Sequence, residues 1–508
     1  MERKWWTLLA ACVATFMLLL DITVVNVALP DIQHDLDASL SSLQWVVDAY
    51  ALTLAAFLLM TGSLGDRLGR RRMFNIGFGV FTLASFLCGI ADDATLLNLA
   101  RGLQGVGAAA MFSTSLALIA QEFEGRERAT AIGAWGATVG GAVAVGPLIG
   151  GLLTEGFGWE WIFFANIPIG IGAMILTATK VANVTATEAV PLDWTGLFTF
   201  SGGLFLLIFG LIRGNPEGWS SGVILASLIG AGGLLVAFLI VEARQDHAML
   251  DLSLFRKPAF TGVSVVAWAL SAGMFAMFLY VTLYVQDVLG YSPLEAGLRF
   301  LPITLLSFFV APIAGRLTGR IPVRVLLGVG MILVGIGLLL MRGIELGNEW
   351  TTLLPGFLVA GAGIGLTNPA IASTAIGVVA PSRAGMASGI NNTFRQVGIA
   401  TGVAALGAIF QSRIDSRLAE LLPGAPPGLS EAVSAGGGRV AVESVPPGSR
   451  AQVADAANQA FISGFNDILL VGAAIAIVGG IVGFALVRSR DFMQQPGGET
   501  AAAEPAAA

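Results

Sequence analysis

Histidine, cysteine and lysine are scarce in this chain of 508 residues: it has two histidines (His34, His247), two cysteines (Cys12, Cys88) and three lysines (Lys4, Lys180, Lys257). Each shortage excludes a class of chemistry. Two cysteines, both inside apolar runs, make neither a disulfide framework nor a thiolate metal site. Both histidines fall between apolar runs, so none sits within a span to ligate haem or relay protons. No metal site is expected. No lysine follows a glycine, so a phosphate-binding P-loop is absent, and no GxGxxG occurs. The chain has no visible means of using ATP or a dinucleotide by itself, and no cofactor is expected. Charge is also scarce, at 12% of residues, against about 25% in an average soluble domain. The formal net charge of -6 offers no basic face for nucleic acid.

What is abundant is apolar. Hydrophobic residues make up 55% of the chain, and the mean hydropathy is +0.81. Such a chain belongs in a lipid bilayer. Its 66 glycines are a residue type enriched where membrane helices approach closely.

A spanning helix needs about 20 mostly apolar residues. Fourteen candidate spans are present, at 5–29, 44–64, 74–91, 95–120, 130–153, 161–179, 193–213, 220–241, 258–285, 296–316, 323–342, 351–377, 384–411 and 463–487. The ninth and thirteenth are over-long, with room for an amphipathic turn. The first run is too long for a cleaved signal peptide. Eighteen Lys and Arg fall in segments on the side of the N-terminus and seven on the other. Cytoplasmic loops collect these residues, so both termini are expected in the cytoplasm. The segment 412–460, rich in Pro and Gly, then lies outside as a solvated connector. The tail 491–508 reads as disordered.

The loop after span 2 carries Gly62, Leu64, Asp66, Arg67, Gly69, Arg70 and Arg71. The loop after span 10 repeats Gly, Leu and Arg at Gly315, Leu317, Arg320 and Arg324. A degenerate copy predicts two homologous halves, with a substrate site between them near the midplane. The expected divisions are an N-terminal six-helix bundle at 1–180, an inserted pair at 181–257, and a C-terminal six-helix bundle at 258–490.

Ionisable residues within spans are functional candidates by default. Asp21 in span 1 and Arg101 in span 4 lie about 9–13 Å below the outer ends of their helices at 1.5 Å per residue. Asp48 in span 2 is slightly shallower, so the three are placed in one outer polar cluster. Desolvation raises a carboxyl pKa and a neighbouring Arg lowers it, which suits Asp21 to exchange a proton. Gln104 and Gly105 share the face of Arg101, and Gly105 leaves space beside the guanidinium. Asn26, Gln104, Asn166, Asn391, Asn392 and Arg395 are candidate cavity residues, Arg395 near the midplane. Pro168 and Pro369 follow closely on Asn166 and Asn368 and loosen their helices. Met274 and Phe278 in span 9 suit flat apolar cations. The hydrolase-like string Gly218-Trp219-Ser220-Ser221-Gly222 sits in a short loop between spans rather than a strand-turn-helix.

These motifs resemble the major facilitator superfamily. The loop 62–72 is similar to its motif A, and Arg101-Gly102-Leu103-Gln104-Gly105 to motif B. Gly133, Gly146, Pro147, Gly150 and Gly151 resemble motif C, the antiporter signature, with Ala142 in place of one glycine. The string from Leu20 to Pro30 resembles span 1 of the fourteen-span drug:proton antiporter family (EmrB/QacA type). The resemblance implies an all-α membrane fold of six plus six helices with spans 7 and 8 alongside. It implies gating by the charges of the loop 62–72, and alternating access that expels amphipathic cationic compounds in exchange for protons at the cell membrane. The expected partners are small-molecule substrate, protons and lipid, with the chain acting as a monomer and not as an enzyme. A dedicated exporter of one metabolite, antibiotic or lipid shares the same motifs.

Overall fold

The computed structural model describes residues 2–492 except 39, 183–192, 246–249, 319, 381–382, 424–427, 435–437, 439–441 and 443–444. Among these residues every long element is a helix: α1 (Arg3–Asp35), α2 (Leu40–Leu68), α3 (Arg70–Gly89), α4 (Ala94–Glu122), α5 (Gly125–Phe157) and α6 (Trp161–Lys180), then α7 (Trp194–Glu217) and α8 (Gly222–Arg244). They continue as α9 (Pro258–Val288), α10 (Pro293–Leu317), α11 (Val323–Leu340), α12 (Leu354–Gly377), α13 (Ala384–Leu421) and α14 (Arg450–Leu486). Thirteen of them are long and apolar enough among the described residues to cross a membrane. The remaining helix, α5, has 33 residues, about 50 Å at 1.5 Å each, more than a bilayer core of about 30 Å. The face at which α1 begins is termed the inner face below.

Local chemistry sets the helix ends. Asp93 caps α4 by accepting from the Leu96 and Thr95 amides at 2.9 and 2.7 Å. Those two bonds hold its carboxyl below the usual range. Ser292 and Glu295 close a capping box on α10. Gly69 starts α3 at φ +100°, where a side chain would be strained. The over-long ninth span is one helix, α9, with π-helical turns at Ser271–Phe275 and Tyr284–Val288.

The segment 412–460 differs from the expected connector. Helix α13 runs on to Leu421, a short helix covers Leu429–Ser434, and α14 begins at Arg450. The reason is an apolar stripe. Phe410, Ile414 and Leu418 recur every fourth residue and are buried in one core with Leu429, Val433, Val453 and Ala457. The tail from Gln494 onward lies outside the described residues.

The N-terminal helices share apolar cores around Leu18, Phe78, Met111 and Trp135, and around Val25, Trp159 and Phe163. The C-terminal helices share another, around Phe260, Met331 and Phe465. The two bundles meet along α2–α13 and α5–α10. Helix α7 lies across the first seam, where Leu204 and Ile208 join Leu52 and Ala55 of α2 and Ala400 of α13. Helix α8 is the least enclosed of the candidate spans and exposes Val223, Ile229 and Val236.

Candidate functional site

Asp21 sits where α1, α4 and α6 converge. Its carboxylate accepts from Arg101 Nη1 in a buried ion pair, from Gln104 Nε2 at 2.8 Å and from Asn166 Nδ2 at 3.2 Å. Both charged side chains are 1% exposed. Arg101 is held from several sides: Nε donates to the Val46 carbonyl at 2.9 Å, Nη1 also donates to Gln104 Oε1 at 2.6 Å, and the guanidinium lies 4.4 Å from the Tyr50 ring centre. Gln104 in turn donates to Ser85 at 2.9 Å. The cluster is thus a neutral pair buried inside a hydrogen-bonded shell.

Asp48 does not join it. It faces Arg213 of α7 at 3.9 Å, and Arg213 is held more closely by Glu217 at 2.8 Å. The reason is helical geometry. Val46 and Tyr50 are four residues apart and share the face toward Arg101, whereas Asp48, two residues from each, points the other way. We expect Asp48→Asn, which leaves Arg213 paired with Glu217, to leave export near wild type in a transport assay. Gly105 likewise departs from expectation. A Cβ there would meet Thr53 Oγ1 at 2.1 Å and the Tyr50 carbonyl at 2.4 Å, so the glycine permits close approach of α2 and α4 and leaves no space. Tyr50, Val46, Ser85 and Phe163 belong to the cluster but were not among the expected site residues. The four-residue spacing of Val46 and Tyr50 was the available signal.

On the inner face the segment 62–72, expected as a loop, is the end of α2 and the start of α3 broken only at Gly69, and it makes a latch between the bundles. Asp66 accepts from the Met386 and Gly385 amides at the start of α13, at 2.8 and 3.1 Å, and from Arg70 Nε at 3.0 Å. A helix N-terminus favours a carboxylate in this position. Gly62 and Gly385 face each other, and a Cβ on Gly62 would lie 2.5 Å from the Gly385 carbonyl oxygen. Arg70 donates to the Ala117 carbonyl at 3.2 Å, and Arg71 to the Val181 carbonyl at 3.2 Å. Arg67 lies in the field of Asp193, at the start of α7, and of Glu242 in α8.

The glycines of α5 divide by depth. A Cβ on Gly133 would meet the Ala311 carbonyl at 3.0 Å across the α10 seam. Gly146 and Gly150 instead abut α1, at Thr23 and Val24, while Gly151 meets nothing within 4 Å. The side chains of Pro147 and Asn26 lie outside the described residues.

A second polar group lies in the C-terminal bundle. Arg395 Nη2 donates to Asn368 Oδ1 at 2.6 Å, and Asn391 and Asn392 are buried one turn away on α13. Asn368 borders a cavity of about 20 Å³ at the α5–α10 seam, shared with Gly140, Phe278 and Ser307. That volume holds about one water. Met274 is buried in the C-terminal core and does not border the cavity.

Two helical bundles meeting along glycine-lined seams, with charge buried between spans, have the build of a membrane transporter. The sequence profile of the Major Facilitator Superfamily matches residues 11–403, and the chain belongs to that superfamily. It is 36% identical over 422 residues to the multidrug resistance protein Stp of Mycobacterium tuberculosis, covering 83% of this chain and 78% of that one. It is 33% identical to the tetracenomycin C resistance and export protein of Streptomyces glaucescens, covering 94% and 91%. The crystal structure of the human organic anion transporter MFSD10 superposes with a TM-score of 0.62 over 94% of this chain and 99% of that one, at 13% identity, a likeness of fold alone. The protein is therefore a multi-pass membrane transporter and not an enzyme.

Proposed function

We propose that this chain is a proton-coupled efflux antiporter of the cell membrane, which exports amphipathic compounds by alternating access. The observation that carries the reading is Asp21. It is a titratable group enclosed with Arg101, Gln104 and Asn166, so taking up a proton there removes one side of a buried ion pair. The arrangement of α1, α4 and α6 around that pair then responds to protonation, and the seams between the bundles offer the place where the response opens a path. The inner face is cytoplasmic in this reading, with both termini on that side, and the chain works as a monomer. Resistance relatives support export as the direction. The test uses proteoliposomes with an imposed pH gradient and no nucleotide. Substrate is expected to move against the proton flow, and transport that needs ATP and ignores the gradient overturns the reading.

A second reading, an exporter dedicated to one metabolite, is supported by the name of the tetracenomycin relative. A substrate panel in an efflux-deficient host separates the two: resistance to several unrelated compounds supports the first, and to one compound the second.

A further inference from the structure

The proposal of efflux leaves the charge of the substrate open, and Arg395 bears on it. Arg395 is 8% exposed, Asn391 3% and Asn392 1%. Arg395 lies eleven residues into α13, about 17 Å from its inner end at 1.5 Å per residue. Asn368 lies nine residues from the inner end of α12, about 14 Å, so the two meet deep in the bundle. Unlike Arg101, Arg395 has no carboxylate acting on it among the described residues. Its partner is the neutral amide of Asn368. Its Nε, the Asn391 Nδ2 and both polar atoms of the Asn392 side chain are buried without a hydrogen-bond partner. Donors outnumber acceptors in this set by three to one.

A buried guanidinium that faces only neutral groups is costly, and the cost falls when an anionic oxygen reaches it. The Asp21–Arg101 pair is neutral by itself and enclosed by its own shell, whereas Arg395 has only an amide for a partner among the described residues. Asn368 joins it to the cavity bordered by Phe278 and Ser307. That cavity is far too small for an organic substrate here, so binding requires the seam beside it to open.

We propose that Arg395, with Asn368, Asn391 and Asn392, binds an anionic oxygen, a carboxylate or an ionised phenol, on an otherwise apolar substrate, with Phe278 against the apolar part. This rests on the efflux reading and replaces the cationic cargo expected from Met274 and Phe278. Proton exchange at Asp21 then acts through helix arrangement and not through competition for one carboxylate.

The test measures binding without any gradient. The full chain in phosphatidylcholine nanodiscs, which supply no net anionic lipid, is titrated with a xanthene dye carrying a free carboxylate and with its ethyl ester. Fluorescence anisotropy reads the affinities. The acid is expected to bind wild type at least about tenfold more tightly than the ester, the scale of a hydrogen bond to a charged group. In Arg395→Gln the preference disappears while ester binding persists, which also shows that the variant is folded. Equal or tighter binding of the ester to wild type overturns the proposal, as does a preference that survives in Arg395→Gln. If the glutamine variant binds neither dye, Arg395→Lys decides. A reduced preference supports the proposal, since lysine keeps the charge without the planar fork, and an unchanged one overturns it. Loss of gradient-driven transport with the acid preference intact strikes the proton-coupling reading and leaves this one standing.

Discussion

Asp21→Asn is expected to bind substrate and to exchange it across the membrane, yet to accumulate none against an imposed pH gradient. Asparagine keeps the size of the side chain and accepts from Gln104 and Asn166 as the carboxylate does. It does not titrate. Gradient-driven uptake into proteoliposomes should fall to the level of empty liposomes. The variant also leaves Arg101 buried without a counter-charge, which costs roughly 3–5 kcal/mol and lowers the apparent melting temperature. The double variant Asp21→Asn with Arg101→Gln removes that charge and should recover the melting temperature without recovering pH-driven export. Recovery of pH-coupled export in the double variant would sink the assignment of Asp21 as proton carrier. Asp21→Glu should retain part of the activity with a shifted pH dependence.

The inner latch carries the second large effect. Gly62→Val should abolish export while substrate still binds from the inner face. The reason is steric. A Cβ at residue 62 meets a backbone oxygen of α13 at 2.5 Å, and no rotamer moves a backbone atom. The bundles then cannot close on the inner side, and spin labels on the inner ends of α2 and α13 should report a longer distance. Asp66→Asn is milder. It keeps a hydrogen-bonding group against the Gly385 and Met386 amides but loses the charge that favours a helix N-terminus and pairs with Arg70. A loss of about 1–2 kcal/mol from the closed state corresponds to roughly tenfold in transport. Wild-type transport by Gly62→Val, with an unchanged label distance, would remove the latch from the mechanism.

Much of this protein was legible from composition and spacing. Hydropathy over about 20 residues reports membrane spans because lipid penalises every exposed polar group, whatever its neighbours. The abundance of glycine announced close helix approach because only a missing Cβ permits it, and the structure placed two such approaches at Gly62 and Gly133. Depth was also legible: Asp21 and Arg101 lie at the same level because helix rise is constant, and the structure pairs them. Partners around the helix axis were harder. Asp48 was assigned by depth alone, and a two-residue step along α2 turns it toward Arg213 instead.

The sequence by itself determined the membrane class, the helical spans, the two-bundle repeat and the depth of Asp21, Arg101 and Arg395, since these follow from hydropathy, a repeated motif and a fixed rise per residue. Only the tertiary structure decided which helices carry the latch contact, that Gly105 closes space and does not open it, and that the segment after Phe410 is largely helical. It alone showed that Arg395, unlike Arg101, has only an amide for a partner among the described residues. Those facts depend on the rotation and approach of helices distant in the chain, and no local spacing encodes which side chain stands opposite another.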